Sequence, residues 1–156
     1  MRDYRPGSVI NKRMEITRTA LVMHTTRDMY RLVLDVPSYP IFLNWCSGAR
    51  VIEQTPSHQV ASLDISIGGL NHQFTTSNRL QAPEVIELAL RDGPFSHLAG
   101  SWQFKALGST GCKVTLMLGF DFSNSMLSSA FRRGFTRVAD KLVEDFVQRA
   151  DRIYSS

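Results

Sequence analysis

The sequence has few cysteines and no long apolar run, and both absences exclude classes of protein. The two cysteines, Cys46 and Cys112, form no CxxC or Cys/His pattern, which argues against a disulfide scaffold and a structural zinc site. No stretch approaches the roughly 18 consecutive apolar residues of a membrane span, and residues 1–13 lack the apolar core of a secretory signal. The 156 residues predict one soluble, cytoplasmic domain.

The chain also lacks a strong excess of charge outside its first thirteen residues. Residues 1–13 hold four basic side chains and one acidic side chain, which is +3 of a formal net charge of +4 and leaves +1 for the rest. Nucleic-acid binding uses a clustered basic surface, so we expect no DNA partner. We interpret residues 1–13 as a flexible basic arm and residues 14–154 as the folded domain, with Met14 as a candidate alternative start.

None of the common catalytic patterns is present. The four histidines form no helical i,i+4 pair and no HExxH motif. The serines lack a GxSxG elbow, and Gly68-Gly69 is typical of a turn between strands rather than of a phosphate-binding loop. Cys46 has no neighbouring base and is expected to be a buried, inert thiol. The sequence therefore predicts no catalytic residue, no metal site and no required cofactor.

Residues 14–42 show the pattern of a strand followed by two helices. Residues 14–23 are rich in β-branched side chains with partial alternation, as in a strand. Residues 25–36 carry apolar side chains at helical spacing, and Thr25 with Asp28 predicts a capping box. Pro37 is predicted to end this helix, because the residue before a proline avoids the α region. Pro40 is predicted to begin a second short helix.

Beyond this corner the apolar period changes from 3.6 to 2. Alternation predicts six strands at 49–54, 60–67, 70–80, 85–91, 96–107 and 112–122. A last helix, capped by Asn124 or Ser125, runs to Tyr154 with one apolar stripe: Leu127, Phe131, Phe135, Val138, Leu142, Phe146 and Ala150. With the first strand, this is an α+β fold with a seven-stranded antiparallel sheet. One helix cannot cover a flat sheet of that size, so we expect the sheet to curl around it.

Large aromatic side chains are the strongest functional signal. Each one alone is best explained as core packing, but together they could also line a cavity for an apolar or ring-bearing ligand. Gly100 and Gly119 would leave room for bends that open such a cavity. On the strand at 70–80, His72 and Asn78 share the inward face of Phe74, where polar groups need partners or water.

Four segments resemble the coenzyme Q-binding START family of the helix-grip (polyketide cyclase-like) superfamily, including its bacterial branch of ribosome association toxins. They are "DVPSYPIFLNWC", "FTTSNRL", "DGPFSHLAGSWQF" and "LGFDFSN". The similarity extends from about Met14 to Tyr154. Two positions depart from the family pattern, because Asn44 replaces a common proline and Ser77 replaces a common arginine. The resemblance implies a curved sheet that grips the terminal helix.

The resemblance implies two functions. The first, which the apolar residues favour, is non-enzymatic binding of ubiquinone or a similar isoprenoid lipid, with transient contact at the inner membrane surface. The second is binding of the large ribosomal subunit, which would block subunit association. A cyclase-type activity is a third alternative, and His72 is its one candidate titratable group. The predicted ligand-binding residues are Tyr39, Phe42, Leu43, Trp45, His72, Phe74, Leu88, Leu98, Trp102, Phe104, Phe131, Phe135, Val138 and Leu142. Arg132, Arg133 and Arg137 are the predicted RNA or membrane contacts. The segment "YPIFLNW" is predicted to form a lid.

Overall fold

The computed structural model describes residues 13–123 and 127–154. In chain order the elements are β1 (Met14–Val22), α1 (Thr26–Leu34), a 3-10 turn (Val36–Ser38), α2 (Tyr39–Phe42), β2 (Cys46–Thr55), β3 (His58–Ile67), β4 (Leu70–Gln81), β5 (Val85–Asp92), β6 (Phe95–Leu107), β7 (Gly111–Phe122) and α3 (Ser129–Tyr154). The predicted α+β architecture is confirmed. Apart from Arg13, the predicted basic arm lies outside the described residues.

The seven strands form one antiparallel sheet in the order β1-β7-β6-β5-β4-β3-β2. The strands from β2 to β7 follow each other as a meander, and β1 adds to the free edge of β7. The segment that contains α1 and α2 therefore connects the two opposite edges of the sheet. It closes one end of the space between the sheet and α3.

The N-terminal boundaries of the helices are set by local side chains. The Thr25 hydroxyl accepts a hydrogen bond from the Asp28 backbone N–H at 3.1 Å, so the predicted cap of α1 is confirmed. However, α1 ends at Leu34, and Pro37 lies in the following 3-10 turn. At α3, the Ser128 hydroxyl accepts from the Phe131 N–H at 3.0 Å. The helix therefore starts later than predicted, and the predicted caps Asn124 and Ser125 lie outside the described residues.

Two glycines allow backbone segments to approach closely. A methyl group at Gly134 of α3 would lie 2.3 Å from Cγ2 of Ile67 in β3. A methyl group at Gly100 of β6 would lie 2.1 Å from the Met117 carbonyl oxygen of β7. Gly100 therefore serves close packing between strands and not a bend that opens a cavity. At Gly119 a methyl group would meet only ordinary contacts, the nearest at 3.6 Å, and Gly119 does not line the cavity between the sheet and α3.

Two aromatic clusters join α3 to the rest of the domain. The Phe135 ring lies 4.9 Å from Phe95 and 5.1 Å from Phe120, measured between centroids. About three helical turns later, the Phe146 ring lies 5.1 Å from Trp102 and 5.3 Å from Tyr39. The Phe95–Phe135 pair is tilted and the other three are edge-to-face; edge-to-face pairs stabilise by about 0.5–1.5 kcal/mol beyond the burial of their area. The two clusters anchor α3 at two levels along its length.

Candidate functional site

A buried cavity of about 100 Å³ lies between the sheet and α3, between the levels of the two aromatic clusters. This is smaller than the roughly 300–1,000 Å³ of pockets for drug-sized ligands. It is closer to the roughly 150 Å³ of an apolar cavity that binds benzene. The interior is therefore largely solid, with space for about one small ring.

The cavity is lined by residues from α1, the corner before β2, five strands and α3. The lining residues are Val33, Val36, Tyr39, Trp45, Gln59, Ala61, Leu63, Phe74, Thr76, Asn78, Ile86, Leu88, Leu98, Trp102, Leu116, Leu118, Phe135, Val138, Ala139, Leu142 and Phe146. Most of these side chains are aliphatic or aromatic. Strand alternation explains the sheet side, because residues two apart on β4, β6 and β7 point to the same face.

Nine of the predicted ligand-binding residues line this cavity: Tyr39, Trp45, Phe74, Leu88, Leu98, Trp102, Phe135, Val138 and Leu142. They come from the corner, three strands and the last helix. The structure thus brings together residues that are up to about a hundred positions apart in the chain. Whether any of them contacts a ligand stays a prediction.

The other five predicted residues pack outside the cavity lining. Phe42 lies against Phe146, with ring centroids 5.2 Å apart, and Leu43 is a core residue that is 1% exposed. Phe104 packs against Tyr30 at 5.9 Å. Within the predicted lid, only the residues at its two ends, Tyr39 and Trp45, reach the cavity.

His72 and Phe131 are the remaining two, and they pack against each other. Their ring centroids are 4.5 Å apart, at the level where α3 begins. His72 does lie on the inward side of β4, as its alternation with Phe74 predicts, but it does not line the cavity. The candidate titratable group of a cyclase-type site is therefore away from the enclosed space.

Three polar side chains, from β3 and β4, interrupt the apolar lining. Gln59 and Asn78 face each other across the β3–β4 register, and the Asn78 Nδ2 donates to Gln59 Oε1 at 3.0 Å. Gln59 Nε2 donates to the Leu34 carbonyl oxygen and to Gln54 Oε1, both at 3.0 Å. The third is Thr76, which is 8% exposed. Of these, the sequence indicated Asn78 by its inward position. Gln59 was missed because it precedes the strand predicted at 60–67.

The cavity offers little acid–base chemistry. Tyr39 is the one titratable side chain among the lining residues that the structure describes. Its hydroxyl donates a hydrogen bond to the Val33 carbonyl oxygen, and burial raises its pKa. Nearby, burial raises the pKa of the Cys46 thiol to about 11. Both groups are therefore protonated at neutral pH, so neither supplies a ready general base or nucleophile.

Comparison with known proteins assigns this architecture to a family. Residues 22–147 match the family model described as "Polyketide cyclase / dehydrase and lipid transport". The chain belongs to this family. The "Ribosome association toxin RatA" of Escherichia coli K12 is 42% identical over 142 residues, which cover 91% of this chain and 90% of that protein.

More distant similar proteins carry other names. The "Coenzyme Q-binding protein COQ10 homolog B, mitochondrial" of Xenopus laevis is 25% identical over 149 residues, which cover 92% of this chain and 61% of that protein. The crystal structure of the Zhui aromatase/cyclase from Streptomyces sp. R1128 superimposes with a TM-score of 0.81. It is 16% identical and covers 93% of this chain and 98% of that chain, so the likeness shows the fold alone.

The three arginines predicted to contact RNA or a membrane lie in two different environments. The Arg132 guanidinium lies 5.4 Å from the Phe122 ring centroid, and its Nε donates to the Leu127 carbonyl oxygen at 3.2 Å. Arg132 therefore stabilises the start of α3. Arg133 and Arg137 are exposed and one helical turn apart, so they remain the candidates for an external contact.

The described residues contain neither a membrane-spanning helix nor a cluster of metal ligands. No helix in residues 13–123 and 127–154 combines the length and the apolar content needed to cross a membrane. Within the same ranges, no three His, Cys, Asp or Glu side chains are arranged to share a metal ion.

Proposed function

We propose that this protein binds the large ribosomal subunit and blocks its association with the small subunit. The observation that carries the proposal is the 42% identity, over about nine-tenths of both chains, to a protein named ribosome association toxin. That level of identity extends over the whole described fold and not over one motif. We place this function ahead of quinone binding, whose named relative is 25% identical.

The outward face of α3 is the surface that we propose for ribosomal RNA. Arg133, Arg137 and Lys141 are exposed at intervals of four residues, which aligns them along one face of the helix. Asp140, which lies beside them in sequence, forms an ion pair with Arg18 of β1. Because Asp140 pairs with Arg18, it neutralises less of the positive charge of the row formed by Arg133, Arg137 and Lys141. A row of cations matches the sign of a phosphate backbone.

The test is a sucrose-gradient profile of ribosomes with added protein. We expect the protein to shift whole ribosomes toward separate subunits, and the shift to weaken as salt rises. Arg133→Ala with Arg137→Ala should weaken the shift and lower the salt dependence by about two counterions. The matched control is Lys105→Ala with Lys113→Ala, which removes the same charge from an exposed cross-strand pair on β6 and β7.

Two results would count against the proposal in different ways. If the wild-type protein leaves the profile unchanged, the ribosome function is wrong. If the wild-type protein shifts the profile but both double variants act equally, the function stands and the proposed surface on α3 is wrong.

The buried cavity supports a second candidate function, the non-enzymatic binding of a hydrophobic ring-bearing ligand of the ubiquinone type. Its apolar lining and its volume of about 100 Å³ suit one ring, so an isoprenoid tail would have to leave between the surrounding elements. Binding is a better fit than catalysis, because Tyr39 is the sole titratable side chain that lines the described cavity and it is protonated.

Mass spectrometry of the purified protein tests this second function. We expect a copurifying quinone or related lipid, together with quenching of tryptophan fluorescence, since both Trp45 and Trp102 line the cavity. The absence of any bound lipid, combined with no quenching by added quinone, would refute it.

A further inference from the structure

The orientation of the Asn78 side chain is determined by a chain of hydrogen bonds that starts at a backbone atom. The Leu34 carbonyl oxygen can only accept, so the Gln59 atom that lies 3.0 Å from it must be the amide nitrogen. Gln59 therefore presents its oxygen to Asn78, at 3.0 Å. Because the Gln59 oxygen can only accept, the Asn78 atom that faces it must be the amide nitrogen. The other polar atom of the Asn78 side chain is therefore its oxygen, Oδ1.

Asn78 Oδ1 can accept a hydrogen bond that no described residue donates. Asn78 is 4% exposed and lines the cavity, and within the described residues no donor lies within hydrogen-bonding distance of Oδ1. A buried acceptor without a donor is unfavourable, and most such atoms in folded proteins are paired. The Gln59–Leu34 bond holds the Gln59 amide in place, so a turn of the Asn78 amide would break its hydrogen bond to Gln59 and set two oxygens against each other.

We infer that the cavity selects a ring that carries a hydrogen-bond donor, a phenol or a hydroquinone, over a ring that carries only acceptors, such as an oxidised quinone. The inference rests on the second proposed function, binding of a ring-bearing ligand. A hydroxyl group directed at Asn78 Oδ1 donates to it, whereas a quinone carbonyl would place two acceptors against each other. The lining also holds a buried donor without a partner among the described residues, the Trp45 Nε1–H. A hydroquinone hydroxyl can pair with either group, whereas a quinone carbonyl can pair with the Trp45 donor alone. Asn78 is thus the specificity-determining residue, and the reduced form of a quinone couple binds in preference to the oxidised form.

Fluorine NMR with two probes of equal size tests the inference. The probe 4-fluorophenol carries a hydroxyl group where 4-fluorotoluene carries a methyl group. Only the hydroxyl group can donate a hydrogen bond. The fluorine shift of 4-fluorophenol also reports whether its O–H is hydrogen-bonded. We expect the bound phenol to show the shift of a hydrogen-bonded O–H in the wild-type protein.

Two variants complete the test. Asn78→Leu removes the acceptor at nearly constant volume, and it should weaken 4-fluorophenol relative to 4-fluorotoluene by roughly 10- to 100-fold. Ser77→Ala is the matched control, because Ser77 is the neighbouring residue on β4 and lies on the opposite face, where it contacts His58. Ser77→Ala should leave the ratio of the two affinities unchanged.

The outcomes separate the inference from the function on which it rests. If neither probe binds the wild-type protein, the cavity function and the inference both fail. If both bind but Asn78→Leu leaves their affinity ratio unchanged, only the selection by a donor is overturned. Should Asn78→Leu not fold, the wild-type spectrum decides, since a bound phenol with the shift of a free O–H in alkane would overturn the inference.

Discussion

Substitution of Gly134 by alanine should destabilise the protein, although alanine is the better helix former. In an unobstructed helix the change would stabilise by about 1 kcal/mol. Here the new methyl group would lie 2.3 Å from Cγ2 of Ile67, far inside normal contact. Ile67 is β-branched and stiff at χ1, so the strain falls on the contact between α3 and β3. An added methyl in such a place costs about 1–3 kcal/mol, and we expect a net loss of about 1 kcal/mol.

The decisive measurement is the same substitution in two altered backgrounds. Ile67→Ala removes Cγ2 and leaves the Ile67 Cβ position at 3.7 Å from the new methyl group, an ordinary contact. In that background Gly134→Ala should stabilise by about 1 kcal/mol, the propensity gain alone. Ile67→Val keeps Cγ2 and is the matched control, so it should preserve the loss.

Urea unfolding followed by circular dichroism gives each free energy of unfolding, with equal m-values as the condition for comparison. The double-mutant cycle should give a coupling of about 2 kcal/mol between positions 134 and 67. The reasoning is refuted if Gly134→Ala has the same effect in the wild-type and Ile67→Ala backgrounds, or if it stabilises the wild-type protein.

Two further substitutions test the interior. Ala139→Leu places three more carbons against the cavity of about 100 Å³, so thermal unfolding should show little or no loss of stability while 4-fluorotoluene binding disappears from the fluorine titration. A stability loss above about 2 kcal/mol would show that the space is not there. Cys46→Ala tests the raised pKa of about 11 for this thiol. Below pH 9 the Cys46 thiol is protonated in both the folded and the unfolded state, so its contribution to stability is complete. Between pH 9 and pH 11 the thiol ionises first in the unfolded state, and the free energy of unfolding falls by up to about 1.4 kcal/mol per pH unit. The urea midpoint of Cys46→Ala should fall less steeply over that interval, and an equal slope would contradict the assignment.

Most of the fold could be predicted because alternation reports directly on a half-buried strand. The boundaries fail where the backbone departs from regular geometry. The strand predicted at 49–54 is β2, which begins at Cys46, and a register shift between Cys46 and Gly48 interrupts the alternation there. The predicted start of α3 is too early, because several residues before it can cap a helix equally well. The sequence contains no local signal that selects Ser128 over the earlier candidates.

The sequence predicts which face of each strand the candidate site occupies, but not which residues along that face reach the cavity. Inward alternation correctly placed Trp102 and Phe104 on the same side of β6, yet only Trp102 lines the cavity, while Phe104 packs against Tyr30. Parity tells which face of a strand a side chain occupies, but the level of a cavity along that strand depends on how neighbouring elements fill the space. The pairing of Gln59 with Asn78 needed the β3–β4 register, which periodicity alone does not supply.

The two proposed functions use opposite faces of one helix, and this determines how they can influence each other. Arg133 and Arg137 are exposed on α3, whereas Phe135 and Leu142 line the cavity on its inner side. A ligand in the cavity therefore does not compete with RNA for the same side chains. It can change ribosome binding only if α3 has two positions for which the ligand has different affinities. The contact of Gly134 with Ile67 of β3 opposes a movement of α3 towards β3 at this level. If α3 holds one position, ligand binding and ribosome binding are independent.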